Sequence, residues 1–546
     1  MSAYGKLLFL DSRSLQGHMK HLLLALLFLG SPLAFPANFP VSESSCDGYP
    51  QAKIGTKQGT CIGVVAEAND IIKWRKPRRI VQVPNTKQFI ITDMGGWKRG
   101  RGAVWLLDTA TTPVKVSALL TGLKLPHGLE IGPKGLFYVG ETDRIFRFRL
   151  EGQKAVNIET VVSRLPDFTK HNHPLTQFIF DHQNNLIVNV GAPSDQCQED
   201  KREVFCSSVN NTLTTHAAIR RYPYIPVANL WGIDYSIVAS GLRNSMALSS
   251  HKSGTLLQAE NSIDLPGLHE PFEELNLIEE GGFYGWPYCY DNDKVNRLWP
   301  THGRRICHDP AKHRRPWILL PAHAAPLDMR YYNGEMFTSL KGKLLISWHG
   351  YRQTGHRLVS YAVDNKGLPI RATSANYQVD PESGTTNSAF STTSFPSVKN
   401  VAQGDEIISQ FNAVLGVRPR GRPAGITVAE DGSIWIVDDV NKALLRLAKG
   451  ESYKATTAID TGNTDSLLTS VEDKEAAKVL LARCQACHGL PTNVAAMKIP
   501  STWLRAQDGK RVIEQRLFHS PLRPMPPGSP LTDLQRVTLE KWLKNL

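Results

Sequence analysis

What the 546-residue sequence lacks narrows its reading first. It contains one long apolar run, "MKHLLLALLFLGSPLAFPA" at residues 19–37, and that run is too short and interrupted for a confident membrane span. No GxGxxG follows a strand pattern and opens a helix, which disfavours the dinucleotide folds that hold nicotinamide or flavin. Cys46, Cys61, Cys197, Cys206, Cys289 and Cys307 never approach the two-residue spacing of a zinc knuckle. Lys and Arg number 63 against 50 Asp and Glu, a formal charge of +13. They are dispersed rather than gathered into a motif, so nucleic acid is not an expected partner. A basic surface of this kind suits an acidic redox partner or an anionic membrane face, and ordinary solubility equally.

The apolar run has a basic start at Lys20 and His21, then a hydrophobic stretch, then small residues, as in a secretory signal. Residues 1–37 are therefore read as a signal peptide, with Met19 as an alternative start, cleavage near Ala34 or Ala37, and the periplasm as destination. An uncleaved anchor is the competing reading. Export agrees with the six cysteines just named, which fall into the sequence neighbours Cys46 and Cys61, Cys197 and Cys206, Cys289 and Cys307. Three short-loop disulfides are expected, although spacing alone leaves the connectivity open.

Six segments share a turn residue followed by a β-type run: "KQFIITDMG", "KGLFYVGETD", "NNLIVNVGAPS", "GTLLQAENS", "GKLLISWHG" and "GSIWIVDDV". Their repetition points to a six-bladed β-propeller across residues 38–450, with two stacked β-sandwiches as the alternative. A polar linker at 451–470 separates this region from a small all-α module at 471–546. There "VEDKEAAKVLLARCQACHG" reads as a helix running into a motif, and "LTDLQRVTLEKWLKNL" as an amphipathic helix with Leu531, Leu534, Val537, Leu539 and Trp542 on its apolar face.

The motif "CQACH" has two thiols for the porphyrin vinyl groups and an adjacent imidazole for the iron, the order that haem c attachment requires at Cys484, Cys487 and His488. Met525, in the proline-stiffened "PLRPMPPGSP", is the expected second axial ligand, with His519 and Met497 as competitors. A redox dithiol lacks its βαβ context, and a zinc half-site lacks its second pair. The module resembles class I cytochromes c. It carries 12 Lys or Arg and 7 Asp or Glu between Glu472 and Leu546, net basic by five. A haem that moves single electrons does not by itself oxidise an organic substrate, so a further cofactor is implied.

Between Ala239 and Tyr290, "ASGLRNSMALSSHKSGTLLQAENSIDLPG" and "FEELNLIEEGGFYGWPYC" resemble the soluble quinoprotein sugar dehydrogenases, the glucose and sorbosone dehydrogenase family. The likeness extends from about Pro77 to Leu447 and implies a six-bladed propeller holding pyrroloquinoline quinone (PQQ) and calcium; some relatives carry a fused cytochrome c. The quinone's three carboxylates call for cationic forks. The resemblance implies Arg243 and Asn244 as a cofactor-binding pair, Arg422 as another contact with Arg420 a weaker choice, His349 with Arg352 beside it, and Arg78 as a further contact. It implies calcium on the backbone carbonyls of Ser262 and Ile263, and His173 as the catalytic base with His171 its rival. Two positions depart from the pattern: Gln177 stands where relatives commonly have Arg, and Ala192 where glucose enzymes have an Asp that orients the histidine. Asp195 is the nearest substitute carboxylate.

The resulting expectation is a periplasmic quinohaemoprotein dehydrogenase that oxidises a sugar, sugar aldehyde or related alcohol, with a downstream redox protein or respiratory-chain acceptor as partner. A non-catalytic electron carrier whose propeller has lost PQQ is the alternative, and a lactonase-like metal hydrolase would leave the haem motif unexplained. Loop residues 291–310 carry no readable substrate code.

Overall fold

A computed structural model describes residues 39–453, apart from 40, 168–171, 201–205, 211–215, 266–269, 351–353, 372–401, 403, 409–410 and 412–420, together with 475–476, 478–480 and 531–545. The expected signal segment, the linker from 454 onward and the CQACH motif lie outside the described residues, as do Arg352, Arg420, His171, His519, Met497 and Met525. Among the described residues no helix is long and apolar enough to cross a membrane.

Each of the six repeated segments forms the second strand of a separate antiparallel sheet. Blade 1 runs through Pro77–Gln82, Gln88–Asp93, Gly102–Asp108 and Lys115–Leu123, and blade 2 through Leu129–Ile131, Phe137–Gly140, Ile145–Glu151 and Lys154–Val162. Blade 3 contains Phe178–Phe180, Leu186–Val190, Ala218–Tyr222 and Ser236–Ser240, with Gly282–Phe283 added in parallel. Blade 4 contains Ala247–Ser250, Leu256–Glu260, Glu273–Leu277 and Ile318–Leu320, and blade 5 Pro326–Tyr331, Leu344–Trp348, Arg357–Tyr361 and Gly404–Ile408. Blade 6 joins Pro423–Val428, Ile434–Asp438 and Ala443–Lys449 to Thr60–Glu67 from the other end of the chain. The innermost strands touch in the cyclic order of blades 1 to 6 and back to 1, so the architecture is a closed six-bladed β-propeller rather than stacked sandwiches.

Sequence chemistry explains the layering. A blade's second strand is covered on both faces by neighbouring blades, and Leu186–Val190, Leu344–Trp348 and Ile434–Asp438 are buried at every position. The outer strand Lys115–Leu123 meets water and is mostly exposed or half-buried. Where the ring closes, Phe89 of blade 1 packs on Trp435 of blade 6 at 4.0 Å between ring centroids. Burying side chains of this size contributes roughly 1.5–3 kcal/mol each.

All three expected disulfides are present: Cys46–Cys61, Cys197–Cys206 and Cys289–Cys307. The first ties Val41–Cys46 to the closing strand of blade 6. Asp200 lies beside the second, the one His/Cys/Asp/Glu grouping of metal-binding compactness among the described residues, but its sulfurs are bonded to each other rather than available as thiolates.

The inner strands bring charge into the channel. Arg79 pairs with Asp328, Arg330 with Glu130 at 2.6 Å, and Asp328 accepts from the Ile426 amide at 2.9 Å. Above them Met94, Leu125, Leu175, Met246, Leu327 and Ala424 form one apolar cluster drawing a residue from every blade. They sit near the ends of the strands, where inner strands begin and second strands end, on the side of the face described next.

In the C-terminal region, Asp533–Asn545 is helical as expected. Among its described side chains the buried ones are Leu539 and Trp542, while Leu534 is 78% and Val537 59% exposed, which corrects the apolar face given above. At about 100° per residue, 539 and 542 share a stripe from which 534 and 537 point away.

Candidate active site

The antiparallel register places the C-terminal end of every second strand beside the start of the inner strand: Asp93 opposite Pro77, Trp348 opposite Pro326, Asp438 opposite Pro423. The residues that follow therefore converge on one face. Blade 5 presents His349, blade 6 Asp439, blade 3 Ala192 and blade 4 Asn261.

Asp439 is a hub. Its carboxylate receives His349 Nε2 at 2.8 Å, Arg78 Nη1 at 2.5 Å and Lys76 Nζ at 2.9 Å, and it is fully buried. Burial alone would push this carboxyl up, but His349, Arg78 and Lys76 hold it well below the ordinary range. Burial pushes His349 down to about 4 despite Asp439 beside it, with Arg78 and Arg422 adding to the fall. His349 is thus neutral at pH 7 and donates its Nε2 proton to Asp439. Arg78 Nε also donates to His127 Nδ1 at 3.2 Å, which fixes the His127 proton on Nε2. Burial, with Arg78 and Arg79 nearby, drives His127 well below its ordinary value. Two of the expected cofactor contacts, Arg78 and His349, are brought together here on one carboxylate, and a third, Arg422, lies close enough to His349 to act on its charge, leaving net positive charge.

A second cluster spans blades 3 and 4. Arg243 donates from Nη2 to Asp195 Oδ1 at 2.7 Å and from Nη1 to the Asn261 carbonyl at 2.9 Å. Trp286, of the Gly-Trp-Pro signature, donates to the Asp195 carbonyl at 2.8 Å and thereby steadies the residue that grips Arg243. The Asn244 carbonyl receives the Asn261 amide at 3.2 Å, so the Arg-Asn pair and the loop bearing Ser262 and Ile263 form one unit. The Ser262 amide donates to Glu273 at 2.6 Å and the Arg243 amide to Glu260 at 3.0 Å. Burial raises Glu260 to about 8 and Glu273 to about 7. Asn261 Oδ1 is buried and without a partner among the described residues, an oxygen that suits a hard cation together with the two carbonyls.

A raised carboxyl is stabilising in its protonated form below its unfolded value and loses that contribution as pH rises through the folded one. Glu260→Gln, which needs no proton and keeps an acceptor for the Arg243 amide, should therefore raise stability at pH 8 by about 1–3 kcal/mol. The gain should shrink toward pH 5. Urea unfolding of both proteins across that range, in chelator, measures it; a gain that grows on acidification contradicts the assignment.

His173 bridges to this cluster. Its Nδ1 donates to the Ala192 carbonyl at 2.7 Å, and the Ala192 amide donates to the Arg243 carbonyl at 2.7 Å. The orienting acceptor is therefore a backbone carbonyl, and Asp195, the expected substitute, is engaged by Arg243 instead. With the proton on Nδ1, neutral His173 has its lone pair on Nε2. Gly191 is required there: a Cβ would lie 2.5 Å from the His173 carbonyl oxygen. Gln177 is also accounted for, since its Oε1 accepts from Arg79 Nε at 3.1 Å and an arginine at 177 would set two guanidinium groups against each other.

Asp439, Lys76 and His127 escaped the sequence reading. A signal existed for one of them: in the repeat register, "IVDDV" has Asp438 at the position of Asp93 in "ITDMG", both receiving amides of the following turn, which leaves Asp439 with no turn to serve.

Fold and face together define a six-bladed propeller with a cation-lined mouth and a backbone-oriented histidine. The chain belongs to the TrAA12-like family, whose profile matches residues 67–449. It is 22% identical over 305 residues to the pyrroloquinoline quinone-dependent pyranose dehydrogenase of Coprinopsis cinerea, covering 48% of this chain and 40% of that one. It is 26% identical over 257 residues to the pyrroloquinoline quinone-dependent sugar dehydrogenase of Hypocrea jecorina, covering 42% of this chain and 54% of that one. The chain thus spans about half the length of these two relatives. The iodide structure of Trichoderma reesei carbohydrate-active enzymes family AA12 superposes with a TM-score of 0.55 at 18% identity, covering 76% of this chain and 99% of that one, a likeness of fold.

Proposed function

We propose that this chain is an exported PQQ- and calcium-dependent dehydrogenase of a sugar, sugar aldehyde or related alcohol, with a covalently bound haem c as its electron exit. The observation that carries the reading is the convergence, on one face, of Arg78 and His349 around Asp439, with Arg422 close to His349, and of Arg243 and His173 around Ala192. That donor set fits a tricarboxylate quinone: rigid cationic forks, neutral imidazoles and a nearby carbonyl-rich cation loop.

Arg78, Arg243, Asn244, His349 and Arg422 would hold the quinone, joined by Arg352, and the Ser262 and Ile263 carbonyls would hold calcium. When bound, the quinone supplies a two-electron acceptor for hydride. His173 Nε2 takes the proton of the substrate hydroxyl, and the Ala192 carbonyl stabilises the imidazolium so formed through Nδ1. In the C-terminal module Cys484 and Cys487 tether the haem, with His488 and Met525 on its iron. The module's net basic charge suits an acidic redox protein or a respiratory-chain acceptor. Three disulfides agree with a periplasmic location. Gln177 and Ala192, the grounds for a cofactor-free carrier, are accommodated by Arg79 and by the Ala192 backbone.

The test is to load purified protein with PQQ and calcium, add a panel of sugars and sugar aldehydes, and follow haem absorbance. Reduction that requires both quinone and sugar is expected. A haem that stays oxidised with every substrate, or a protein that takes up no quinone, defeats the proposal.

A further inference from the structure

The loop that leaves the second strand of blade 3 carries Asp195 two residues ahead of Cys197, and Cys197 has φ +54°. A residue with a Cβ adopts that left-handed backbone at a cost and keeps it only where its surroundings hold it there. Here they do. Cys197 is bonded to Cys206, both are fully buried, and the Cys197 amide donates to Ser194 Oγ at 3.1 Å.

The far side of the bond is anchored as well. The Cys206 amide donates to Tyr288 Oη at 2.9 Å, and the Tyr288 amide donates to the Gly285 carbonyl at 2.7 Å, which sets Tyr288 in the Gly-Trp-Pro turn. Trp286 of that turn holds the Asp195 carbonyl, and Trp299 donates to the Gln196 carbonyl at 2.9 Å. Both cysteines pack with Ala192, Ile263 and Trp299 in one buried cluster. Residues 195–197 are therefore fixed at consecutive positions, and the disulfide is the covalent member of the set.

What this segment presents is Asp195. Its Oδ1 receives Arg243 Nη2 and also the Asp264 amide at 3.0 Å, and its carbonyl receives Arg243 Nε at 3.2 Å. Asp264 directly follows Ser262 and Ile263, whose carbonyls are the candidate cation ligands. One carboxylate thus sets the guanidinium and the cation loop together. The guanidinium keeps further N–H donors for a ligand carboxylate.

We propose that the Cys197–Cys206 disulfide is a positioning device for the cofactor site, acting through Asp195 on Arg243 and on the loop of Ser262 and Ile263. Without the bond, Cys197 relaxes toward ordinary backbone and carries Asp195 out of register with Arg243, a buried cation that then loses its charge partner. The Cys46–Cys61 bond packs with Ala448 in blade 6, has no contact with this arrangement and serves as the comparison. This inference rests on the quinone-binding reading of the site and adds what holds its arginine in place.

The experiment uses the full-length chain as wild type, Cys197→Ser/Cys206→Ser, Cys46→Ser/Cys61→Ser, Asp195→Ala, and Asp195→Ala combined with Cys197→Ser/Cys206→Ser. PQQ is titrated into each with calcium present, and amide hydrogen exchange is followed on each before quinone is added. Loss of the 197–206 bond is expected to weaken quinone binding about tenfold and to speed exchange at Arg243, Ser262 and Asp264. Loss of the 46–61 bond should change quinone binding by no more than about twofold. Asp195→Ala, which keeps the disulfide, should match the 197–206 result, and the combined variant should bind no more weakly than either, because one chain of contacts is cut twice. Losses that multiply to about a hundredfold, an equal loss in Cys46→Ser/Cys61→Ser, or unchanged affinity in Asp195→Ala each overturn the proposal. The last decides even where the cysteine variant fails to fold. A wild-type chain that takes up no quinone removes the cofactor reading, whereas exchange at Arg243 and Asp264 unaltered by loss of the 197–206 bond removes the positioning role itself.

Discussion

His173→Ala is expected to lower kcat/KM for sugar oxidation by about 10²- to 10⁴-fold, the range for loss of a positioned general base. The geometry predicts which parameters stay fixed. His173 is held through Nδ1 by the Ala192 carbonyl, and its own carbonyl and Cβ fill the space that Gly191 leaves. Arg243 is gripped independently by Asp195 and Asn261. Quinone affinity should therefore change by no more than about twofold (0.4 kcal/mol). Stopped-flow reduction of the haem by sugar, beside a quinone titration of the same variant, separates the two effects. A kcat/KM within tenfold of wild type would place the base elsewhere, with His171 the next residue to replace. Loss of quinone binding instead would make His173 a positioning residue.

Asp439→Ala should be the most damaging single change to the fold near the site, costing about 3–5 kcal/mol. The side chain is fully buried and neutralises Arg78 and Lys76, of which Arg78 is also nearly inaccessible. Removing it leaves those cations facing each other and His349 without its acceptor. Asp439→Asn keeps an acceptor oxygen and should fall between wild type and alanine. The sign with pH follows from the direction of the shift: a carboxyl depressed below 3.8 stabilises above that value and loses its contribution as pH falls through the folded value. The stability gap between wild type and Asp439→Asn should thus be constant from neutrality to about pH 4 and close below it. Urea denaturation across this range is the measurement; a gap of less than about 1 kcal/mol at pH 7 would show that Asp439 is not the hub.

The two sites were legible in the sequence to different depths. Arg243 and His173 stand beside long, specific stretches, and the register of the strands around them carries both to one face. Arg78 and His349 could be named one at a time, but their meeting point at Asp439 could not. Asp439 is separated from Arg78 by 361 residues, and only ring closure between blades 6 and 1 makes them neighbours. Gln177 and Ala192 looked like losses because side-chain identity was compared position by position. In the structure, an arginine on a different strand and a backbone carbonyl occupy the places in question. The amphipathic C-terminal helix was located correctly, whereas its buried stripe was drawn too wide.

By itself the sequence determined the local and periodic features: six strand repeats, three cysteine pairs, a CxxCH motif and the Arg-Asn and Gly-Trp-Pro signatures. These depend on near neighbours, through alternation, turn chemistry and spacing, which a linear chain records directly. Tertiary structure alone decided which cations share a carboxylate and which acceptor orients His173. Such contacts join blades far apart in the chain, and they exist because inner strands packed in a ring deliver every second-strand end to the same face.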